Sequence, residues 1–193
     1  MFQPFLNSAR AFIASTIRLL GCPLSRITEL FLSLSRGIRS KPTSKLYVLA
    51  HHFVPWYRDS LTNLVHRLGL QQYVHLMENL PGQDLLNLYV SSKIILSTAH
   101  FEPFGMSVAE GMMLRAVPVV YKGPLSGPWI DIIDKGKYGI GFRTTEELAD
   151  AIEHVINTER KLFELQDKAF ERSRIFLLST FTKKFMELIE GII

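Results

Sequence analysis

Four short runs constrain this chain more than anything else in it: "KLYVLA" (45–50), "YVHLME" (73–78), "KIILST" (93–98) and "VPVVY" (117–121). Each is apolar along most of its length rather than alternating, as strands covered on both faces are. The stretches between them carry helical spacing. "PWYRDSLTNLVHRLGL" follows the first run, with Pro55 before it and Gly69 after it, and "GQDLLNLYVSS" follows the second. A loop and helix follow the third run. Beyond the fourth, Pro128 opens a short helix, "WIDIID", and "YGIGF" (138–142) supplies a fifth short strand. "TTEELADAIEHVI" then begins with a Thr cap and an acidic first turn, and two further helical segments reach Ile193. Strands alternating with helices in this way specify an α/β fold, a Rossmann-like doubly wound parallel sheet. Ligands of such sheets bind at the carboxyl ends of the strands, so the loops after Ala50, Glu78, Thr98 and Tyr121 are expected to line one edge.

Ahead of the first run lies "MFQPFLNSARAFIASTIRLL", whose Phe5, Phe12, Ile13, Ile17 and Leu20 have the spacing of an amphipathic helix. Arg10 and Arg18 interrupt it, so no stretch of ~18 uncharged apolar residues exists to span a bilayer. The helix either packs on the domain or lies in a membrane interface with its arginines reaching the headgroups. A second helix is expected over 24–38, with Pro42 marking its end. The reading therefore divides the chain into an N-terminal helical segment, 1–41, taken as a partly degenerate start of the domain, and a Rossmann-like α/β domain with C-terminal helices, 42–193.

Composition excludes several classes. One cysteine, Cys22, leaves no internal disulfide framework and makes a reducing, cytoplasmic compartment the default. The 22 Lys and Arg exceed the 18 Asp and Glu by four, and no block of like charge carries the surplus. That suits anionic small molecules or peripheral contact with an acidic membrane face, and it is too diffuse for a nucleic-acid groove.

The loop after the third run reads "HFEPFGMSVAEGMM" (100–113), with Glu102 in the loop and Glu110 in the helix behind it. A glycine at 105 lets backbone approach a ligand. The first amides of the helix, near Met106, Ser107 and Val108, are donors without intrahelical partners at a positive dipole end, where a phosphate sits well. A carboxylate along the helix can accept the two hydroxyls of a ribose, and one on the loop can hold hydroxyls of a sugar beyond the phosphates. The same two acids read equally as a dipole partner and a solvated residue before proline.

The surrounding residues carry more. "EPFGMSVAEGMMLRAVPVV", with Glu102, Phe104, Gly105, Glu110, Met112 and the "VPVV" at 117–120, resembles the signature of the retaining family-4 glycosyltransferases (glycosyl transferases group 1, a family that includes mannosyltransferases). The resemblance continues into "GPWIDIIDKGKYGIGF" and "EELADAI", and upstream through "LGLQQYVHLMENLPGQDLLNLYVSSKIILST", over roughly 45–158. It implies the C-terminal, donor-binding half of a two-domain GT-B fold and a hexosyltransferase activity with a nucleotide-diphospho-sugar donor. By that resemblance Glu102 would be the catalytic-site carboxylate on the transferred sugar and Glu110 would hold the ribose. Phe104, Gly105, Met106 and Ser107 would meet the sugar and diphosphate, and the loop near Met77 and Glu78 the base edge. No metal or other cofactor is implied, because protein cations and amides neutralise the leaving diphosphate.

Departures from the pattern are plain. The family's phosphate-holding Arg and Lys have here only Arg26, in "PLSRITELF", which stands either as the phosphate ligand or as a surface residue at a helix start. The Gly-rich turn after "LYVL" is replaced by "AHHF", with His51 and His52 at the site edge, and Lys122 follows the fourth run. The expected N-terminal acceptor domain has no counterpart in the sequence. Three readings follow: a glycosyltransferase domain that works with an acceptor-binding partner and a lipid-linked or glycan acceptor; a non-catalytic nucleotide-sugar-binding module; and a folded, inactive remnant.

Overall fold

The computed structural model describes residues 11–16, 31–32 and 44–192. Its centre is a six-stranded sheet, parallel throughout, made of β1 (Ala11–Thr16), β2 (Ser44–Ala50), β3 (Val74–Glu78), β4 (Ile94–Ser97), β5 (Val117–Tyr121) and β6 (Ile140–Phe142). The strand order is β3-β2-β1-β4-β5-β6, so the direction of winding reverses between β1 and β4. The doubly wound α/β class expected from the apolar runs is the one observed.

Period-two alternation divides the core between two faces. Leu46 and Val48 of β2, Ile94 and Leu96 of β4, and Val117 and Val119 of β5 face one side. There they meet α1 (Pro55–Arg67), through Leu61 and Leu64, and α4 (Thr145–Asn157), through Leu148, Ile152 and Val155. Tyr47, Leu49, Ile95 and Val120 face the other side. They meet α2 (Gly82–Ser91) through Leu88 and Tyr89, α3 (Met106–Met113) through Val108 and Met112, and α5 (Glu159–Ser173) through Ala169. Both faces being covered explains why the strands read as continuously apolar.

Local signals set the helix ends. Pro55 opens α1, and Gly69, at φ +64°, follows it. Thr144 caps α4 by accepting a hydrogen bond from the Glu147 amide at 3.2 Å, and the Glu147 carboxylate accepts from the Arg143 amide at 2.7 Å. After α5 a 3-10 turn (Arg174–Phe176) leads into α6 (Leu178–Glu190), which buries none of its residues. Among the described residues no helix is long and apolar enough to cross a membrane.

One expectation is corrected. Residues 11–16 form β1, not part of an amphipathic helix over 1–20, and β1 lies in the middle of the sheet, paired with β2 on one side and β4 on the other. A short apolar run such as "AFIAS" is ambiguous by period alone, and tertiary pairing decides it. Without β1, strands β2 and β4 would each present a bare edge of unpaired amides and carbonyls. The sheet thus draws strands from both sides of residue 41. Of the helix expected over 24–38, residues 31 and 32 are described; they are helical, and Phe31 is fully buried.

Candidate donor-binding site

The strand order reverses between β1 and β4, the point at whose carboxyl ends sheets of this kind bind ligands, and the loop from β4 to α3 leaves the sheet there. Glu102 is held there by its backbone. Its amide donates to the Leu125 carbonyl at 3.2 Å, and its carbonyl accepts from the Gly127 amide at 2.7 Å, an isolated parallel bridge to Ser126. Gly127 lies so close to the Pro103–Phe104 backbone that a Cβ there would collide with the Pro103 carbonyl oxygen. The loops after β4 and β5 are thereby bound into one unit. The half-buried side chain of Glu102 has no hydrogen-bond or ion-pair partner among the described residues.

Gly105 ends the loop and precedes α3. It sits at φ +95°, and a Cβ on it would stand 2.5 Å from Pro128 Cγ. Only glycine satisfies both conditions. With no side-chain cap on α3, the Val108 and Ala109 amides donate to the Gly105 carbonyl at 3.0 and 3.3 Å. The Met106 and Ser107 amides have no partner among the described residues. That leaves two donors at the positive end of the helix, beside the strand-order reversal.

Four residues into α3, Glu110 lies one turn from the exposed Met106 and on the same side, opposite the buried Val108, Ala109 and Met112. Partial burial of its carboxyl pushes the pKa up, and no cation among the described residues offsets this. Phe104 is partly exposed and meets Phe176 of the 3-10 turn edge to face, ring centroids 5.6 Å apart. Arg172 holds that turn against the segment Pro128–Ile132, donating to the carbonyls of Ile132 (3.0 Å) and Asp131 (2.8 Å) with its guanidinium over the Phe176 ring.

At the other end of the edge, Met77 lines a slot of about 180 Å³ walled by Leu49, Leu80, Leu85 and Tyr89, with His51 and Asn79 at its rim. Glu78, beside it, is consumed by the fold: it accepts from the Phe53 amide (2.8 Å) and pairs with Arg58 Nη1 (2.9 Å) and His52 Nδ1 (2.8 Å). The Phe53 amide above all, with Arg58 and His52, holds its carboxyl below the usual carboxylate range. Lys122 places its ammonium 5.7 Å from the centre of the Trp129 ring. Arg26 lies outside the described residues.

The structure therefore brings Glu102, Phe104, Gly105, Met106, Ser107 and Glu110 onto one loop and helix start, with Met77 further along the same edge. The sequence did not reveal Ser126 and Gly127 as the brace of Glu102, nor Phe176 and Arg172 behind Phe104. The Gly-Pro pairs in "GPLSGP" mark that loop as tight, but not what it packs on.

Comparison with known proteins agrees with this architecture. Over 135 residues the chain is 27% identical to the GDP-Man:Man(3)GlcNAc(2)-PP-Dol alpha-1,2-mannosyltransferase of Dictyostelium discoideum, covering 70% of this chain and 26% of that protein. It thus spans about a quarter of that relative's length. Anabaena HepE, solved with UDP and glucose, superposes with a TM-score of 0.74 at 18% identity, over 95% of this chain and 49% of that one. The pneumococcal O-GlcNAc transferase GtfA, solved with UDP and GlcNAc, superposes with a TM-score of 0.76 at 14% identity, over 95% of this chain and 36% of that one. Residues 56–174, from the first turn of α1 to the end of α5, match the family model described as glycosyl transferases group 1, and with the loop of Glu102 and Glu110 inside that match the chain belongs to this family.

Proposed function

We propose that this chain binds the nucleotide-diphospho-sugar donor of a retaining glycosyltransferase and presents the sugar to an acceptor held by a second domain, in the same polypeptide or in a partner chain. The observation that carries the reading is a pair of carboxylates, Glu102 and Glu110, that have no partner among the described residues and stand on either side of the Met106 and Ser107 amides, likewise without a partner among those residues, at the strand-order reversal. In this reading Glu110 holds the ribose and Glu102 the hydroxyls of the sugar. The amides and Gly105 receive the diphosphate, Met77 and its slot the base, and Arg26 serves as a further phosphate ligand.

The bond from the anomeric carbon to the diphosphate oxygen breaks as the acceptor oxygen becomes attached to that carbon, and the acceptor's hydroxyl proton passes to the departing diphosphate oxygen. Negative charge gathers on the leaving diphosphate, where the α3 amides are already oriented, and this lowers the barrier without a metal. The acceptor is a glycan or a lipid-linked glycan, the latter by analogy with the dolichol-linked substrate in the name of the Dictyostelium relative. Such an acceptor places the chain on the cytoplasmic face of a membrane. Orienting the acceptor hydroxyl on the face of the anomeric carbon that the diphosphate leaves, as retention requires, is worth several kcal/mol of barrier, so binding without turnover is expected until the acceptor side is supplied.

Thermal shift with UDP-, GDP- and ADP-sugars tests donor binding, since a ligand specific to the folded state raises the melting temperature by mass action. Failure of all three to shift the transition would remove the reading. A non-catalytic binding module gives the same shift, and transfer assays with lipid-phosphate acceptors and an added acceptor domain separate the two.

A further inference from the structure

The reading above leaves one feature of the edge unexplained: the segment that stands where the family resemblance expects a Gly-rich turn. A glycine turn brings backbone to a ligand, whereas "AHHF" brings side chains. The structure shows how those side chains are disposed. Glu78 at the end of β3 fixes His52 through Nδ1, Phe53 through its amide, and Arg58 on the second turn of α1. Next to it Asn79 takes a left-handed conformation, φ +48°, and donates its amide to the Ala50 carbonyl at 3.0 Å. The ends of β2 and β3 are thus locked together at Ala50, His52 and Phe53.

His51 is the residue the lock passes over. It is exposed, its ring has no hydrogen-bond partner among the described residues, and it stands at the rim of the slot. The slot's walls are aliphatic and aromatic, and its two polar lips are His51 and Asn79. Apolar walls with a few polar groups at the mouth suit a flat heteroaromatic ring, whose faces are apolar and whose edges carry donors and acceptors. A free imidazole held at that mouth can stack on the ring or donate to its edge.

We infer that His51 is a specificity-determining residue of this chain, contacting the nucleobase of the donor at the mouth of the slot, and that Glu78 is the positioning residue that holds it there. The inference rests on the donor-binding reading and adds to it the side chain that reads the base. Glu78 acts only through the segment it clamps, because its own oxygens are occupied by Phe53, His52 and Arg58.

The test is titration of the whole chain with UDP, GDP and ADP, using His51→Ala, Glu78→Gln, the double variant, and His154→Ala as a control at an exposed histidine on α4. Base-to-aromatic contacts are worth about 1–3 kcal/mol, so His51→Ala should weaken the more tightly bound nucleotide by about tenfold. Glu78→Gln should weaken it in the same direction by less. In the His51→Ala background the Glu78 change should have no further effect, because both remove one contact. A change below about twofold in His51→Ala, losses that simply add in the double variant, or an equal loss in His154→Ala would each overturn the inference. If the unaltered chain binds none of the three nucleotides, the donor-binding reading falls and the role of His51 with it. If it binds one normally and His51→Ala does not matter, only the inference falls.

Discussion

Glu78 and Glu110 lie on the same edge of the same sheet and have opposite surroundings. Glu78 accepts a backbone amide and pairs with Arg58 and His52, so its charged form is favoured and its pKa is held down. Glu110 has lost part of its hydration and gained no partner among the described residues, so its charged form is disfavoured and its pKa is pushed up. A folded chain engages a carboxylate that serves the framework. Glu110 is exposed, and nothing among the described residues enlists its carboxyl for the framework. The contrast distinguishes a carboxylate engaged by the framework from one that, in the proposed reading, is left for the donor.

The largest effect is expected where the ligand-facing part depends on backbone. Gly105→Ala puts an L side chain at φ +95° and a Cβ 2.5 Å from Pro128 Cγ. Left-handed strain of roughly 1–2 kcal/mol and overpacking of about 1–3 kcal/mol act together, and the loop that aims Glu102 and the α3 amides must move. Denaturant unfolding should show a loss on that scale, and nucleotide binding should disappear from titration. A variant of wild-type stability that still binds would mean that the amides are not the anion site.

Next comes the proposed ribose contact of Glu110. Glu110→Gln should weaken UDP or GDP binding by roughly 1.5–3 kcal/mol, the scale of hydrogen bonds to a charged group. Thermal stability at neutral pH should hold or rise, since a desolvated charge has been removed. Unchanged affinity would take Glu110 out of the site. Glu102→Ala should act more narrowly, lowering affinity for the matching nucleotide sugar by about tenfold, again the scale of one such hydrogen bond, while free UDP or GDP binds as before. Equal losses for sugar nucleotide and free nucleotide would contradict the assignment of Glu102 to the sugar.

How much of this the sequence disclosed depended on whether the cause was local. Strands β2, β4 and β5 announce themselves because both faces are covered and each run is therefore apolar along most of its length. The loop of Glu102 and Glu110 was legible because glycine, helix start and acids are neighbours in the chain. β1 was not, because its strand character comes from β2 and β4 on either side, far away in sequence. Nor was the engagement of Glu78, whose partners lie 20 and more residues away. Helices α4 and α6 show the same limit. Both are amphipathic and 13 residues long, yet α4 packs its apolar side on the sheet while Phe181, Phe185 and Leu188 of α6 remain exposed. Spacing shows that a helix has an apolar side, not what covers it.

The smallest effect is the pH dependence of the two glutamates, and it must have opposite signs. Stability rises with pH wherever the unfolded chain binds more protons than the folded one. For Glu78, with its folded pKa depressed, the contribution is present above the ordinary glutamate range and is lost as pH falls through the lowered value. For Glu110, with its folded pKa raised, the folded chain holds the proton more tightly, so a penalty is present above the raised value. It disappears as pH falls below the ordinary range. Melting curves taken from neutral pH down to about pH 3, compared between wild type and each Gln variant, isolate the two contributions. Glu78→Gln should be the less stable protein at neutral pH and approach wild type in acid. Glu110→Gln should be equal or slightly more stable at neutral pH and lose that advantage in acid. Both residues are solvent-accessible enough for screening to keep the differences small, so the sign is the measurement. Two variants moving in the same direction with pH would show that both carboxylates belong to the framework, and the distinction between the two ends of the edge would be lost.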